Sequence, residues 1–388
     1  MKIVFCSNYL NHHQLSLCFE ILNKQDVEYF FIATIPIEKD RLSMGYKNMN
    51  DLYPWVIKTY QSESEKKRAL KLIDQADVVI IGSAPDYLIK ERLKNNKLTF
   101  RYSERLYKKG VLFRFKPRAI VGQFIHHTRF RRKNLYMLCA SAYTSYDFSL
   151  WGNYKNKCFK WGYFPVIEKK ELSYLLNEKS NERISILWAG RMLKLKHPEY
   201  VLFLAEYLKD HKRNFHITVI GDGEMKKSIL LSAEKMHVEN YIDFLHFMPP
   251  HEVRAHMEKS DIFLFTSDFN EGWGAVLNES MGSACAVVAS HACGSVPFLI
   301  KDFENGMIYR YGNVEEFCEK VDQLVVNPEL RNKLQRNAYS TIFDEWSATN
   351  AANQFINLSK TLLNGKKEFR NSGVCSVAEI IKNNWKKE

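Results

Sequence analysis

Short apolar runs rich in β-branched and aromatic residues recur along this chain, each followed by a stretch with helical spacing. This alternation limits the possible folds more than any other feature. "KIVFCS" (2–7), "VEYFFIAT" (27–34), "DVVIIGS" (77–83) and "KLTFRYS" (97–103) read as strands. "NHHQLSLCFEILNKQ" and "SEKKRALKLIDQA" between them read as helices, the first with Leu15, Leu17, Cys18, Ile21 and Leu22 as its apolar positions. "KCFKWGYFP" (157–165) closes the series at Pro165, and the charged "VIEKKELSYLLNEKSNER" reads as a linker. The pattern then restarts with "ISILWAG" (184–190), "FHITVIG" (215–221), "YIDFLHF", "DIFLFTS", "CAVVAS" (285–290) and "GMIYR" (306–310). Strands alternating with helices build parallel sheets covered on both faces. The expectation is therefore an α/β chain of two Rossmann-like domains, 1–165 and 183–345, facing across a cleft at the carboxyl ends of their strands, where open α/β sheets bind ligands.

Composition agrees with a folded protein of two cores: 388 residues, 46% hydrophobic and 26% charged. No apolar run reaches the roughly eighteen residues of a membrane span, and "MKIVFCSNYL" reads as a first strand rather than a secretory leader. The eight cysteines form no CxxC pair and several sit in apolar runs, which points to buried, reduced thiols in a cytosolic protein and away from a zinc site. The net charge of +12 is lopsided: residues 1–165 hold 28 Lys+Arg against 14 Asp+Glu, and the remainder 28 against 30. Within 88–133 stand 15 basic residues with only Glu91 and Glu104 as acids. A solvated basic face would explain this, and so would contact with an anionic surface. Val111, Leu112, Phe113 and Phe115 among the cations favour a membrane interface over nucleic acid, for which no recognised motif is present.

The chemistry-bearing residues follow the strands of the second half. "WAGRMLKLKHPE" puts Gly190 and Arg191 directly after a strand and Lys196 at an expected helix start, and two cations beside helix amides can hold a diphosphate. "GDGE" places Gly221 and Asp222 in a tight turn, which a plain strand-to-helix connection explains equally well. Met248 lies in "FMPPHEV", whose backbone can read the edge of a nucleobase. "EGWGAVLNE" sets Glu271 and Glu279 eight positions apart around Gly272, Trp273, Gly274 and Ala275, with a helix expected from Gly274. Bare amides at such a helix start suit phosphate or sugar, and carboxylates accept from hydroxyls. A capping Glu271 and a surface-paired Glu279 would be the ordinary alternative.

"GRMLKLK", "GDGE" and "EGWGAVLNESMGSACAVVAS" together resemble the retaining glycosyltransferases of family 4, bacterial polysaccharide-type enzymes of the GT-B fold, over roughly 184–310. The first half is similar in architecture and length. The resemblance implies that Arg191 and Lys196 bind the donor diphosphate, that Glu271 contacts the transferred sugar and that Glu279 binds the nucleotide ribose. Amides at Gly272, Trp273 and Gly274 would touch sugar and phosphate. It implies a hexosyl- or N-acetylhexosaminyl-transferase using a nucleotide-sugar, UDP-sugars first and GDP-mannose next, with no metal or other cofactor. The acceptor would be a glycan or lipid-linked, the setting surface polysaccharide assembly at the cytoplasmic face of the plasma membrane. A C-terminal helix within 346–388 would cross back to the first domain. Two departures stand out. His197 replaces the glycine often found after the lysine, and "SNYLNHHQ" replaces a glycine-rich first loop. His12, His13, Arg101, Ser103, Glu104 and His126 are the candidates on the acceptor side, with His127 as a rival. A soluble acceptor, or a nucleic-acid-binding protein using the basic segment, are the competing readings.

Overall fold

The computed structural model describes residues 1–38, 47–179 and 183–386. The chain divides into two compact units, Met1–Val166 with Ser347–Lys382, and Ile167–Trp346 with Asn383–Glu388. Each is an α/β unit built on one all-parallel sheet.

In the first unit the strands are β1 (Lys2–Ser7), β2 (Glu28–Ala33), β3 (Val56–Lys58), β4 (Val78–Ile81), β5 (Thr99–Ser103), β6 (Leu135–Cys139) and β7 (Cys158–Lys160), in the order β3-β2-β1-β4-β5-β6-β7. Register is set by continuous apolar strands: Val4 lies opposite Phe30 on one side and Val79 on the other. Ile3, Val4, Phe5, Val79 and Phe100 are wholly or almost wholly buried. Strand order reverses between β1 and β4. The helix Ala348–Leu363 belongs to this unit and packs on the first helix, His12–Leu22. Its buried face carries Ala351, Ala352, Phe355, Ile356 and Leu362, and Phe355 meets Phe100 and Trp161 edge-on.

The second unit holds β8 (Ile184–Ala189), β9 (Phe215–Ile220), β10 (Ile242–Leu245), β11 (Ile262–Phe265), β12 (Ala286–Ser290) and β13 (Met307–Tyr309), ordered β10-β9-β8-β11-β12-β13. The strand order reverses between β8 and β11, so their carboxyl ends open a crevice that no crossover fills.

Three expectations change. Part of the expected linker is the helix Leu172–Asn177, which puts Leu175 against Ala284 and Tyr339 of the second unit; residues 180–182 of that stretch lie outside the described residues. The tail expected to stay with the first unit leaves it after Lys382. From there His291 Nε2 meets the Asn383 carbonyl at 3.1 Å, and Lys386 pairs with Asp302 at 2.9 Å. Two strands, β3 and β6, come from stretches not read as strands. All eight cysteines are buried and unbridged, and no described helix is long and apolar enough to cross a membrane.

Candidate functional site

The residues of the second half expected to hold a donor come together at this reversal point. Gly190, Arg191 and Lys196 follow β8; Gly221 and Asp222 follow β9; Met248 follows β10; Glu271 to Ala275 follow β11. These four strands are neighbours in the sheet, so residues from four separate stretches of sequence share one rim.

Backbone packing fixes the rim. A Cβ on Gly221 would sit 2.0 Å from the Gly190 carbonyl oxygen, and one on Gly223 would sit 2.5 Å from that of Met192. The "GDG" turn therefore lies directly on the loop that carries Arg191, tied by Met192 N–H to the Asp222 carbonyl at 2.9 Å. Asp222 accepts from Lys226 and from the Phe247 amide, at 2.5 and 2.6 Å, and these bonds hold its carboxyl down at about 2. It thereby fastens the β9 turn to the loop bearing Met248.

Lys196 sits on a single 3-10 turn, Lys194–Lys196, and not at a helix start; the α-helix begins only at Tyr200. Its side chain pairs with Glu271, both largely buried, and Ser267 Oγ lies 3.4 Å from the same carboxylate. Trp188 Nε1 donates to Thr266 Oγ1 at 2.9 Å, and that hydroxyl donates to the Lys196 carbonyl. The Asp268 amide donates to the Leu195 carbonyl at 2.9 Å. The Lys196 turn and the Glu271 loop are thus stitched together by backbone as well as by charge. Arg191 is exposed on the same loop.

His197, next in sequence, adopts the left-handed conformation at φ 50°, ψ 55°. Its Nδ1 lies 2.7 Å from Glu199 Oε1, and its Nε2 lies 3.4 Å from Asp268 Oδ2 and 3.2 Å from the Tyr311 hydroxyl. Burial opposes the charge, but the bonds to Asp268 and Glu199 outweigh it and raise the imidazole to about 9. His197 therefore adds a fixed cation beside Lys196 at neutral pH.

The helix after Glu271 starts at Val276, two residues later than expected, because Gly274 has φ +75°. A Cβ there would stand 2.4 Å from the Phe265 ring. Trp273 contributes only its backbone to the rim. Its indole is fully buried, bonded to Asn278 Oδ1 at 2.8 Å and packed near Phe298 and Trp346. Glu279 lies in the first turn of the helix with Arg254 at 3.5 Å. Burial pushes its carboxyl up to about 7, with Arg254 pulling the other way. Thr266, Asp268, Tyr311 and Arg254 went unnoticed in the sequence, and His197 was noted only as a departure from the resemblance. Only the His197 departure signalled anything; the others meet through topology alone.

The acceptor-side candidates fall into two networks in the first unit. Asp86, after β4, is bridged by Arg101 at 2.8 and 2.9 Å and also bonds His126 Nδ1. Burial works against the Asp86 charge, yet the bonds from Arg101 and His126 leave the carboxyl below its usual range. Arg101 is thus the buried partner of a carboxylate, while His126 is exposed. The rival His127 is held neutral, its pKa driven to about 3 by burial and then by Arg101. In the second network Glu104 accepts from Lys108 at 2.6 Å and from Tyr163, whose ring stacks on His13 at 5.3 Å. His12 lies against His13, and Ser103 Oγ donates to the Glu104 carbonyl at 2.7 Å.

Comparison with known proteins gives the following. Residues 175–341 match the family described as Glycosyl transferases group 1. A protein of Haemophilus influenzae named an uncharacterized glycosyltransferase is 26% identical over 189 residues, covering 47% of this chain and 51% of that protein. The N-acetylgalactosamine-N,N'-diacetylbacillosaminyl-diphospho-undecaprenol 4-alpha-N-acetylgalactosaminyltransferase of Campylobacter jejuni is 26% identical over 153 residues, covering 39% and 40%. The chain thus spans about half, or less, of the length of these curated relatives. Among solved structures, that of Anabaena HepE in complex with UDP superposes over 94% of this chain and 100% of its own, with TM-score 0.65 and 13% identity. That likeness is one of fold, and the fold is GT-B.

Proposed function

We propose that the chain, whose residues 175–341 match the group 1 glycosyl transferases, is a retaining glycosyltransferase. It moves a sugar from a nucleotide-diphosphate sugar, a UDP-sugar first, to a glycan or lipid-linked acceptor in surface polysaccharide assembly. One observation carries this reading: the Lys196–Glu271 pair, beside exposed Arg191, at the point where the second sheet reverses order. A diphosphate arriving there competes with Glu271 for Lys196. Taking the ammonium leaves the carboxylate to accept a hydroxyl of the transferred sugar. Arg191, Lys196 and the amides of Gly272 to Gly274 neutralise the departing diphosphate, the electrostatic work a divalent ion does elsewhere. Turnover should therefore survive a chelator. Glu279 faces the ribose diol and Met248 the base.

The names of the relatives inform the rest. HepE was solved with UDP, which supports UDP as the first nucleotide to test. The Campylobacter enzyme is named for a diphospho-undecaprenol substrate, which supports a lipid-linked acceptor here and so a peripheral position on an anionic cytoplasmic leaflet. The test is a screen of UDP-sugars and GDP-mannose for slow hydrolysis, read by nucleotide release with and without EDTA. Release from one donor class, unaffected by chelator, is expected. Release from none, or only with added divalent ion, would count against the reading.

A further inference from the structure

The first unit carries an amphipathic element turned inside out. In the helix Pro117–His126 the buried residue is Gln123, whose Oε1 accepts from Asn153 Nδ2 at 3.3 Å. Ile120, Val121, Phe124 and Ile125 fall on one face at helical spacing and point outward, 45%, 55%, 59% and 39% exposed. The preceding 3-10 turn, Val111–Phe115, buries nothing and leaves Leu112 at 76% and Phe115 at 61%. A helix that hides its glutamine and shows its aliphatics is not serving this unit's core. Contiguous apolar surface of this kind marks an interaction site.

The charge around it says what the partner is. Residues 105–133 contain ten Lys and Arg and no Asp or Glu, and of these Arg105 is buried against Asp147. Three of the others lie over rings: Arg114 over exposed Phe115 at 4.6 Å, Lys116 over exposed Phe113 at 4.5 Å, and Arg129 over half-buried Phe130 at 4.5 Å. Cations at the rim of an apolar ridge match an anionic headgroup layer above acyl chains. The match to other partners is poorer. Two copies of the patch would bring like charges together. A nucleic acid would find aliphatic Leu112, Ile120, Val121 and Ile125 where it needs rings open for stacking, and the Phe113 and Phe115 rings are covered by the chain's own cations.

We propose that Val111–Phe115 and the outward face of Pro117–His126 form one membrane-inserting element that seats the first unit on an anionic bilayer, Leu112, Phe115 and Phe124 entering deepest. The proposal deepens the lipid-side part of the functional reading and does not depend on the donor site. Vesicles of phosphatidylcholine alone and of three parts phosphatidylcholine to one part phosphatidylglycerol distinguish the contributions. The full chain should float with the mixed vesicles and stay behind with the neutral ones. The variant Leu112→Ser/Phe115→Ser/Phe124→Ser should bind at least about tenfold more weakly, and Arg114→Gln/Lys116→Gln/Arg118→Gln should lose most of the preference for the anionic mixture. All three side chains changed to serine are exposed, so circular dichroism and donor hydrolysis in free solution should match the parent. Equal flotation of the serine variant, equal binding to neutral vesicles, dimerisation abolished by the same substitutions, or capture of an oligonucleotide in place of vesicles would each overturn it. Absence of donor hydrolysis in the parent, with flotation intact, would strike the donor reading and leave this one standing.

Discussion

His197 sits where glycine would fit most easily, at φ 50°, and the surroundings show what holds it there. Glu199 and Asp268 take its two ring nitrogens, and Tyr311 lies on the same side. Its pKa is raised in the folded protein from 6.5 to about 9. The folded state thus binds the proton more tightly than the unfolded one, and the contribution to stability is complete below about pH 6.5 and lost as pH rises through 9. His197→Gly should keep the loop and lower the melting temperature at pH 7, with the difference from the parent shrinking toward pH 10. Glu279 depends on pH in the same direction, but by favouring its neutral form rather than a charged one. Its carboxyl is raised from 4.5 to about 7, so the neutral form belongs to the fold, and this contribution is complete below pH 4.5 and lost as pH rises through 7. Because a ribose diol donates to the carboxylate form, nucleotide affinity should increase as pH rises through 7. Glu279→Gln should flatten that inflection. For the pair that carries the proposal, Lys196→Ala or Glu271→Ala should each lower transfer by about a hundredfold or more with the fold intact. Near-parental turnover in either would contradict the roles given to them.

At the level of elements, the loops matter as packed backbone. Gly221→Ala would drive a Cβ to 2.0 Å from a carbonyl oxygen, and Gly274→Ala to 2.4 Å from the Phe265 ring, both at positive φ. Each should cost about 2–4 kcal/mol in denaturant unfolding and weaken nucleotide binding, since the rim must shift to make room. These turns were legible in the sequence because glycines after β-branched runs have few other uses. The parallel strands were legible for the same reason: Val78–Ile81 and Ile262–Phe265 are continuous apolar runs buried on both faces. β3 escaped because three residues, Val56–Lys58, pair only with β2 at the sheet edge. β6 escaped because Leu135–Cys139 follows directly on "RRKN", and charge masked the strand. The segment read as linker hides one anchoring leucine, Leu175, whose pocket forms only when Tyr339 arrives from far along the chain. Arg101 shows the same limit: its carboxylate partner, Asp86, is fifteen positions upstream.

Across the whole molecule, the two units share an architecture and divide their chemistry. The basic excess lies in residues 1–165, where the apolar ridge is exposed. The rim of cations, amides and carboxylates lies entirely within the second unit, contributed by four adjacent strands. This makes ligand protection local. On adding UDP, hydrogen exchange should slow at 190–197, 221–225, 247–250 and 271–279 and remain unchanged along β1 and β4; protection confined to the first unit would move the donor site. The strand alternation revealed the two sheets in outline, and the motif spacing pointed to the rim residues of the second. The two side-chain networks of the first unit were beyond reach, because they depend on which loops the first sheet brings side by side. The central claim, that Lys196 and Glu271 hold a nucleotide-sugar, is tested most directly by calorimetric titration of UDP-sugars and GDP-mannose into the parent and into Lys196→Ala. Saturable binding of one nucleotide class to the parent, weakened by about a hundredfold in the variant, is the predicted result. Binding of equal strength to both proteins, or none to the parent, would contradict it.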